Sequence, residues 1–141
     1  MSFELIDTKE TKANNGRSCI MLCNFNLKEV KTLSNLAAMF GITDKIVVTY
    51  KNGNTIVKDA ISGNILNDAE DGIKNKAIIF NNIPGAKIGL FLGNLKKFRL
   101  NNVLKATVTE TSQEWTINTL LKNLVAEKMA MQSGVDYEHE E

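Results

Sequence analysis

The stretch VTETSQEWTIN, Val108 to Asn118, gathers hydroxyl side chains around the single tryptophan of the chain. It separates an apolar run of strand type from a leucine-rich run with helical spacing. Hydroxyls and free backbone amides at a helix start can bind an anion, aided by the positive end of the helix dipole. The same hydroxyls can instead cap the helix while the indole covers the end of the core. We prefer the capping interpretation and keep anion binding as the alternative.

Asparagines and threonines also follow other apolar runs, at the positions where strands are predicted to end. If the strands are parallel, their carboxyl ends share one edge of the sheet, which is where open α/β folds bind ligands. We therefore expect a candidate site for a small anionic ligand or nucleotide at this edge. Its members are Asn24, Asn81, Asn82, Thr109, Thr111, Ser112 and Trp115.

Catalytic and metal-binding patterns are sparse. The single histidine, His139, lies in the acidic end of the chain, which leaves no Ser-His or Cys-His pair unless that end folds back. Cys19 and Cys23 are four residues apart in one predicted strand, too distant for a disulfide and too few for zinc. We interpret both as core thiols, with Cys23 as a minor candidate nucleophile. The acidic loop 67–72 lacks the ligand spacing of a calcium loop. No catalytic residue, metal or cofactor is predicted.

Two further features of the sequence are unusual. Gly85, Gly89 and Gly93 recur every four residues in a predicted helix, where a glycine costs up to about 1 kcal/mol relative to alanine. Such a ridge allows another backbone to pack closely against the helix, either within the fold or across a homodimer interface. The alternative is that the glycines are partly exposed to solvent and have no partner. The second feature is KKFR, Lys96 to Arg99. With a net charge of +1, this cluster is best interpreted as an exposed helix end, and nucleic acid is not expected as a partner.

Strands and helices alternate in the predicted order. A helix is predicted after Asn26, which with Glu29 fits a capping box, and Gly41 supplies its stop. A second helix is predicted from Pro84, and the strand-type runs are nearly continuous in hydrophobicity, as in strands covered on both faces. These runs are Cys19–Phe25, Lys45–Tyr50, Lys76–Ile83 and Leu104–Thr109.

Two further elements have alternatives. Residues 54–63 fit one short helix or the beginning of a polar loop that continues to residue 75. The last helix starts at Thr116, which corresponds to Thr55 in the first half, or at Thr111 through a capping box with Glu114. We prefer Thr116.

The two halves of the chain share one plan of strand, helix, strand ending near threonine, polar turn and helix beginning with Thr-Ile. This internal repeat predicts an α/β fold of two βαβα units, with a parallel four-stranded sheet flanked by helices. If residues 54–75 are only a loop, the alternative is an α+β ferredoxin-like βαββαβ fold with an antiparallel sheet and an extra C-terminal helix.

Bulk properties indicate one domain, since the 141 residues are 43% hydrophobic and 23% charged. We expect a flexible lead-in at 1–17, with Phe3–Ile6 as a candidate edge strand, a single domain at 18–133 and an acidic tail at 134–141. The chain shows no apolar leader and no run of apolar residues long enough for a membrane span. Unpaired cysteines and abundant Asn and Lys indicate a bacterial, cytoplasmic protein.

The segment from Lys76 to Glu127 resembles the prokaryotic family called domain of unknown function 3783. In that pattern a strand ending in Phe-Asn precedes a helix. A strand ending in Val-Val-Thr-Pro-Thr, a tryptophan and a leucine-rich helix follow. Glu110 stands where the family usually has proline, which leaves the turn less rigid. The resemblance implies a small soluble domain and no assigned function. The matching residues are Phe80, Asn81, Val108, Thr109, Thr111, Trp115 and Thr116.

These observations together predict a non-enzymatic binding or interaction module that self-associates, with a protein or small molecule as its partner. The alternative function is binding of a small anionic ligand or nucleotide beside Trp115.

Overall fold

The computed structural model describes residues 16–100 and 102–132. The predicted Phe3–Ile6 strand and His139 lie outside the described residues. Short 3₁₀ turns lie at Tyr50–Asn52, Lys96–Phe98 and Ser112–Glu114. The strands and helices are β1 (Cys19–Cys23), α1 (Leu27–Met39), β2 (Lys45–Val48), α2 (Val57–Ile61), β3 (Ala77–Asn81), α3 (Gly85–Leu95), β4 (Leu104–Thr107) and α4 (Ile117–Gln132).

The predicted starts of the first two long helices and the predicted stop of the first are confirmed. The Asn26 side chain accepts a hydrogen bond from the Glu29 amide at 2.8 Å, and the Glu29 carboxylate accepts from the Asn26 amide at 2.9 Å. The helix ends before Gly41, whose φ of 82° is a left-handed conformation that glycine adopts without a steric penalty. Helix α3 follows Pro84 directly. Local side-chain chemistry therefore sets these boundaries.

The structure contains both helices whose starts the sequence left open. The hydroxyl of Thr116 accepts from the Thr119 amide at 3.1 Å, so Thr116 caps α4 as preferred. Thr111 makes no capping bond with its side chain and instead precedes a 3₁₀ turn. Residues 57–61 form the short helix α2, and residues 64–76 contain neither helix nor strand.

The predicted parallel sheet is wrong, because the sheet is mixed. Its order is β2-β1-β3-β4; β1 pairs parallel with β2 and β3 pairs parallel with β4, whereas β1 and β3 pair antiparallel. The two parallel pairs also exclude the antiparallel ferredoxin-like alternative. Hydrophobic runs indicate which faces of a strand are buried. They do not indicate the direction of β3, because that direction depends on the path of the long connection 49–76.

Helices cover both faces of the sheet, which explains the continuous apolar runs in the central strands. Every residue of β1 is buried, and so are the first four of β3. One core, beneath α1 and α3, includes Ile20, Leu22, Leu33, Ile78, Phe80 and Phe91. The other core, beneath α2 and α4, includes Met21, Val48, Val57, Ile79, Leu120 and Leu121.

Candidate functional site

The mixed sheet divides the predicted ligand residues between its two ends. Asn24 follows β1, which is antiparallel to β3. Asn81 ends β3 and Thr109 follows β4, and these two strands are parallel. Asn24 therefore lies at the end of the sheet opposite to Asn81 and Thr109. The residues that adjoin this second group in the chain are Asn82, Thr111, Ser112 and Trp115.

The asparagines at the strand ends make hydrogen bonds within the fold. Asn24 and Asn82 have φ values of 67° and 61°, a left-handed conformation that asparagine tolerates better than most residues. The side-chain amide of Asn24 donates to the Asn75 carbonyl at 2.8 Å, and that of Asn82 donates to the Gly16 carbonyl at 2.9 Å. Asn81 donates to the next carbonyl along, at 2.7 Å. Each central strand thus ends by fixing the segment that enters the other.

The hydroxyls of the Trp115 turn are bonded to one another. The Ser112 hydroxyl accepts from the Thr109 amide at 2.9 Å, and the Thr109 hydroxyl accepts from the Ser112 amide at 3.0 Å. The two hydroxyl oxygens are 3.2 Å apart, and Ser112 is buried. This reciprocal arrangement satisfies the backbone groups that follow β4, which is what the helix-start interpretation of the sequence requires.

Trp115 lies at a junction between the two halves of the chain. Its half-buried side chain packs against the core beneath α2 and α4. Its carbonyl accepts from the Val57 amide at 2.8 Å, and the Thr55 carbonyl accepts from the Ile117 amide at 2.9 Å. The first residues of α2 and α4 are therefore joined by a short antiparallel bridge.

Asn118 extends this junction to the long loop. The Asn118 side-chain oxygen accepts from the Ile73 backbone amide at 2.9 Å, and the Asn118 backbone amide donates to the Gly53 carbonyl at 3.0 Å. On the surface of the junction, Lys58 and Glu114 form an ion pair at 2.9 Å, and this hydrogen bond raises the pKa of Lys58. The contacts are those of a structural joint.

The two cysteines lie in β1 with unreactive surroundings. Both are buried free thiols. Burial raises the pKa of Cys19 to about 11 and that of Cys23 to about 12, so both are protonated at neutral pH. Within residues 16–100 and 102–132, no three His, Cys, Asp or Glu side chains converge on a possible metal position. Over the same ranges, every helix is too short or too polar to cross a membrane.

A groove that the sequence analysis missed lies between β4 and the second half of α4. It is open to solvent and has a volume of about 420 Å³. One wall is formed by residues 100 and 102–105, and the other by Leu124, Glu127, Lys128 and Met131. The side chains come from two segments that meet only after folding, and Leu124 has the spacing of an ordinary core-facing helix residue. No local pattern marks such a surface.

The glycine ridge of α3 is exposed and has no neighbour within the described part of the chain. A Cβ atom built at Gly85, Gly89 or Gly93 meets no atom within 4 Å. Leu90, which adjoins Gly89, is 55% exposed. Close packing inside the described fold therefore does not account for these glycines.

Comparison with known proteins adds a match for the second half of the chain. No curated protein and no solved structure matches the chain significantly. The groove, the glycine ridge and Trp115 all lie in the segment formed by β3, α3, β4 and α4. That segment confirms the expected resemblance, since residues 76–131 match the model of the family described as Domain of unknown function (DUF3783).

Proposed function

We propose that the protein is a non-enzymatic binding module and that its binding surface is the groove between β4 and α4. The observation that carries this proposal is the groove itself. Its volume of about 420 Å³ lies in the range of volumes found for clefts that bind small molecules. It combines apolar side chains such as Leu124 with charged groups such as Lys105, as binding sites do.

The open edge of the sheet supports the same surface. The Leu104 amide donates to the Lys76 carbonyl, just before β3, and the Val108 amide donates to the Phe80 carbonyl, at 2.9 Å each, so alternate residues of β4 face the neighbouring strand. The backbone groups of Lys105 and Thr107 then point away from the sheet, since β4 is its outermost strand. An exposed strand edge offers main-chain hydrogen bonds to an extended peptide.

The alternative function, binding of a small anion beside Trp115, has weaker support. The hydroxyls of Thr109 and Ser112 and the side-chain amides of Asn81 and Asn82 are already bonded within the protein. An anion would have to displace those bonds. The groove needs no such rearrangement.

Substituting Met131 by glutamate is expected to abolish binding at the groove without unfolding the protein. Met131 lines the groove and is 75% exposed, so a carboxylate there disturbs the surface and leaves the core intact. Selection of a displayed library of random peptides on the wild-type protein is the measurement. We expect enriched peptides that bind the wild type and lose binding to Met131→Glu.

Met129→Glu is the matched control, because Met129 is in the same helix, is 63% exposed and is not part of the groove. Selected peptides should bind this variant as they bind the wild type. Absence of any enriched peptide, or equal binding to all three proteins, would contradict the proposed function.

Self-association is a second proposal, favoured by the exposed glycine ridge of α3. Gly89 and Gly93 lie inside α3, where each lowers helix stability by up to about 1 kcal/mol relative to alanine, although a Cβ atom at either position would have open space. The α3 helix of a second copy could pack closely against this ridge, because glycine has no side chain.

The repeated order of strands and helices supports the further proposal that the two halves arose by internal duplication. The unpaired thiols support a cytoplasmic location in a bacterium.

Sedimentation velocity of wild type and Gly89→Leu tests the homodimer. We expect the wild type to sediment as a dimer and Gly89→Leu as a monomer, because the added side chain fills the space that a second helix would occupy. Ala38→Leu places the same side chain at an exposed position of α1 and should leave the dimer unchanged. A wild type that is monomeric at every concentration, or a dimeric Gly89→Leu, would exclude the ridge as the interface.

A further inference from the structure

We infer that the groove between β4 and α4 binds an acidic, extended peptide segment of a partner protein, because two lysines that form no ion pair in the described part of the chain line an apolar cleft at an open strand edge. This inference rests on the proposed function and adds the chemistry of the partner.

The groove lining carries more positive than negative charge, with two lysines and one acidic residue. Lys105 and Lys128 line the groove, and Glu127 is the acidic residue of the lining. The stretch from 94 to 109, which supplies one wall, contains Lys96, Lys97, Arg99 and Lys105 and has no acidic residue.

These cations have no acidic partner in the part of the chain that the structure describes. The ion pairs found there join Arg17 to Asp44, Lys58 to Glu114 and Lys76 to Glu29, all outside this region. Lys128 donates instead to the neutral Asn102 side chain at 3.2 Å, which joins the two walls of the groove. Carboxylates of a ligand would therefore meet lysines that the described ion pairs leave available, with Glu127 as the acidic residue of the same lining.

The apolar part of the groove favours a peptide over a nucleic acid. Leu100, Leu124 and Met131, which are half-buried or exposed, offer contacts for aliphatic or aromatic side chains of a ligand. A single-stranded nucleic acid would need aromatic side chains on which its bases can stack. The groove lining contains none, and Phe98, which is 46% exposed, lies outside the lining.

The position of Lys105 connects the two kinds of contact. Lys105 belongs to the groove lining, and its backbone amide and carbonyl face away from β3 along the edge of the sheet. In an added strand, successive side chains alternate between two faces. A ligand with acidic and apolar residues in alternation could thus place carboxylates near the lysines and apolar groups in the cleft.

The same peptide selection tests this inference through the composition of the selected sequences. We expect Asp and Glu to be enriched among peptides that need Met131, with apolar residues at alternating positions. One such peptide is then synthesised with every Asp and Glu changed to Asn and Gln, and fluorescence anisotropy measures both peptides. We expect the amide version to bind at least about tenfold more weakly, and the difference to shrink at high salt.

Charge reversal on the protein supplies the reciprocal measurement. Lys105→Glu should weaken binding of the acidic peptide by about tenfold, because an attractive contact becomes repulsive. Lys122→Glu makes the same charge change at an exposed position of α4 outside the groove, and should alter binding by less than about twofold.

The outcomes separate the inference from the proposed function. Selected peptides that need Met131 but lack acidic residues would overturn the acidic partner and leave a peptide-binding groove. Absence of peptides that depend on the groove would overturn both. A fluorescent oligothymidylate that binds more tightly than the acidic peptide and is weakened by Lys105→Glu would overturn the inference in favour of nucleic acid.

Discussion

Replacing Gly72 by alanine is expected to lower the free energy of unfolding by about 2–4 kcal/mol. A Cβ atom at this position would lie 2.3 Å from the Tyr50 carbonyl oxygen and 3.1 Å from the Asn118 side-chain oxygen. The first neighbour is backbone and cannot move aside as a flexible side chain can. The Thr49 side chain caps the 3₁₀ turn that contains Tyr50, so relief of the overlap has to displace the long loop. Urea denaturation of wild type and variant measures the difference.

The matched control is Gly89→Ala, which makes the same substitution where a Cβ atom has open space. Alanine should there stabilise the helix by about 0.5–1 kcal/mol, because glycine loses more backbone freedom on folding. Opposite signs for the two variants are the expected result. A Gly72→Ala protein as stable as the wild type would mean that the loop does not pack against Tyr50 in solution.

The loop around Gly72 also shows why a polar segment was difficult to interpret from sequence. Residues 64–76 have a loop-like composition, yet the Thr55 hydroxyl accepts from the Leu66 amide at 2.9 Å and the Lys51 carbonyl accepts from the Ala69 amide at 3.1 Å. These bonds hold the loop over the 3₁₀ turn and the start of α2. The bonding partners, Thr55 and Lys51, lie outside the loop in sequence, and no pattern within residues 64–76 indicates them. The contact is therefore seen only in the folded chain.

Features governed by neighbours in sequence were predictable. The Asn26 capping box, the stop at Gly41 and the cap at Thr116 each depend on residues within one or two helical turns. The four strands follow from runs of apolar residues that are buried on one or both faces. Strand direction was predicted incorrectly, because β3 pairs with β1 through a long connection that no local pattern constrains.

The candidate site was predictable only in part, for the same physical reason. The sequence placed Thr109, Ser112 and Trp115 correctly between β4 and α4. It did not place Asn24 at the opposite end of the sheet, since that depends on the antiparallel pairing of β1 with β3. The groove depends on the packing of α4 beside β4, and its lysines carry no motif that would distinguish them from other surface lysines.

Substituting Phe91 by alanine is expected to cost about 3–5 kcal/mol of stability. Phe91 is fully buried in the core beneath α1 and α3, and its ring meets that of Phe80 edge to face at 5.8 Å between centroids. Removal leaves a cavity and ends the aromatic contact. Phe98→Ala is the control, since Phe98 is 46% exposed and its loss should cost less than about 1 kcal/mol.

The same variant shows whether the two cores unfold together. Trp115 packs against the core on the opposite face of the sheet, so its fluorescence reports on the face that Phe91 does not touch. Both cores share the strands β1 and β3, whose successive side chains point to alternate faces. A cavity beneath α3 should therefore lower the Trp115 fluorescence midpoint in urea as far as it lowers the circular dichroism midpoint. If the fluorescence midpoint stayed at its wild-type value while the dichroism midpoint fell, the two faces would unfold separately, and the shared sheet would not couple them.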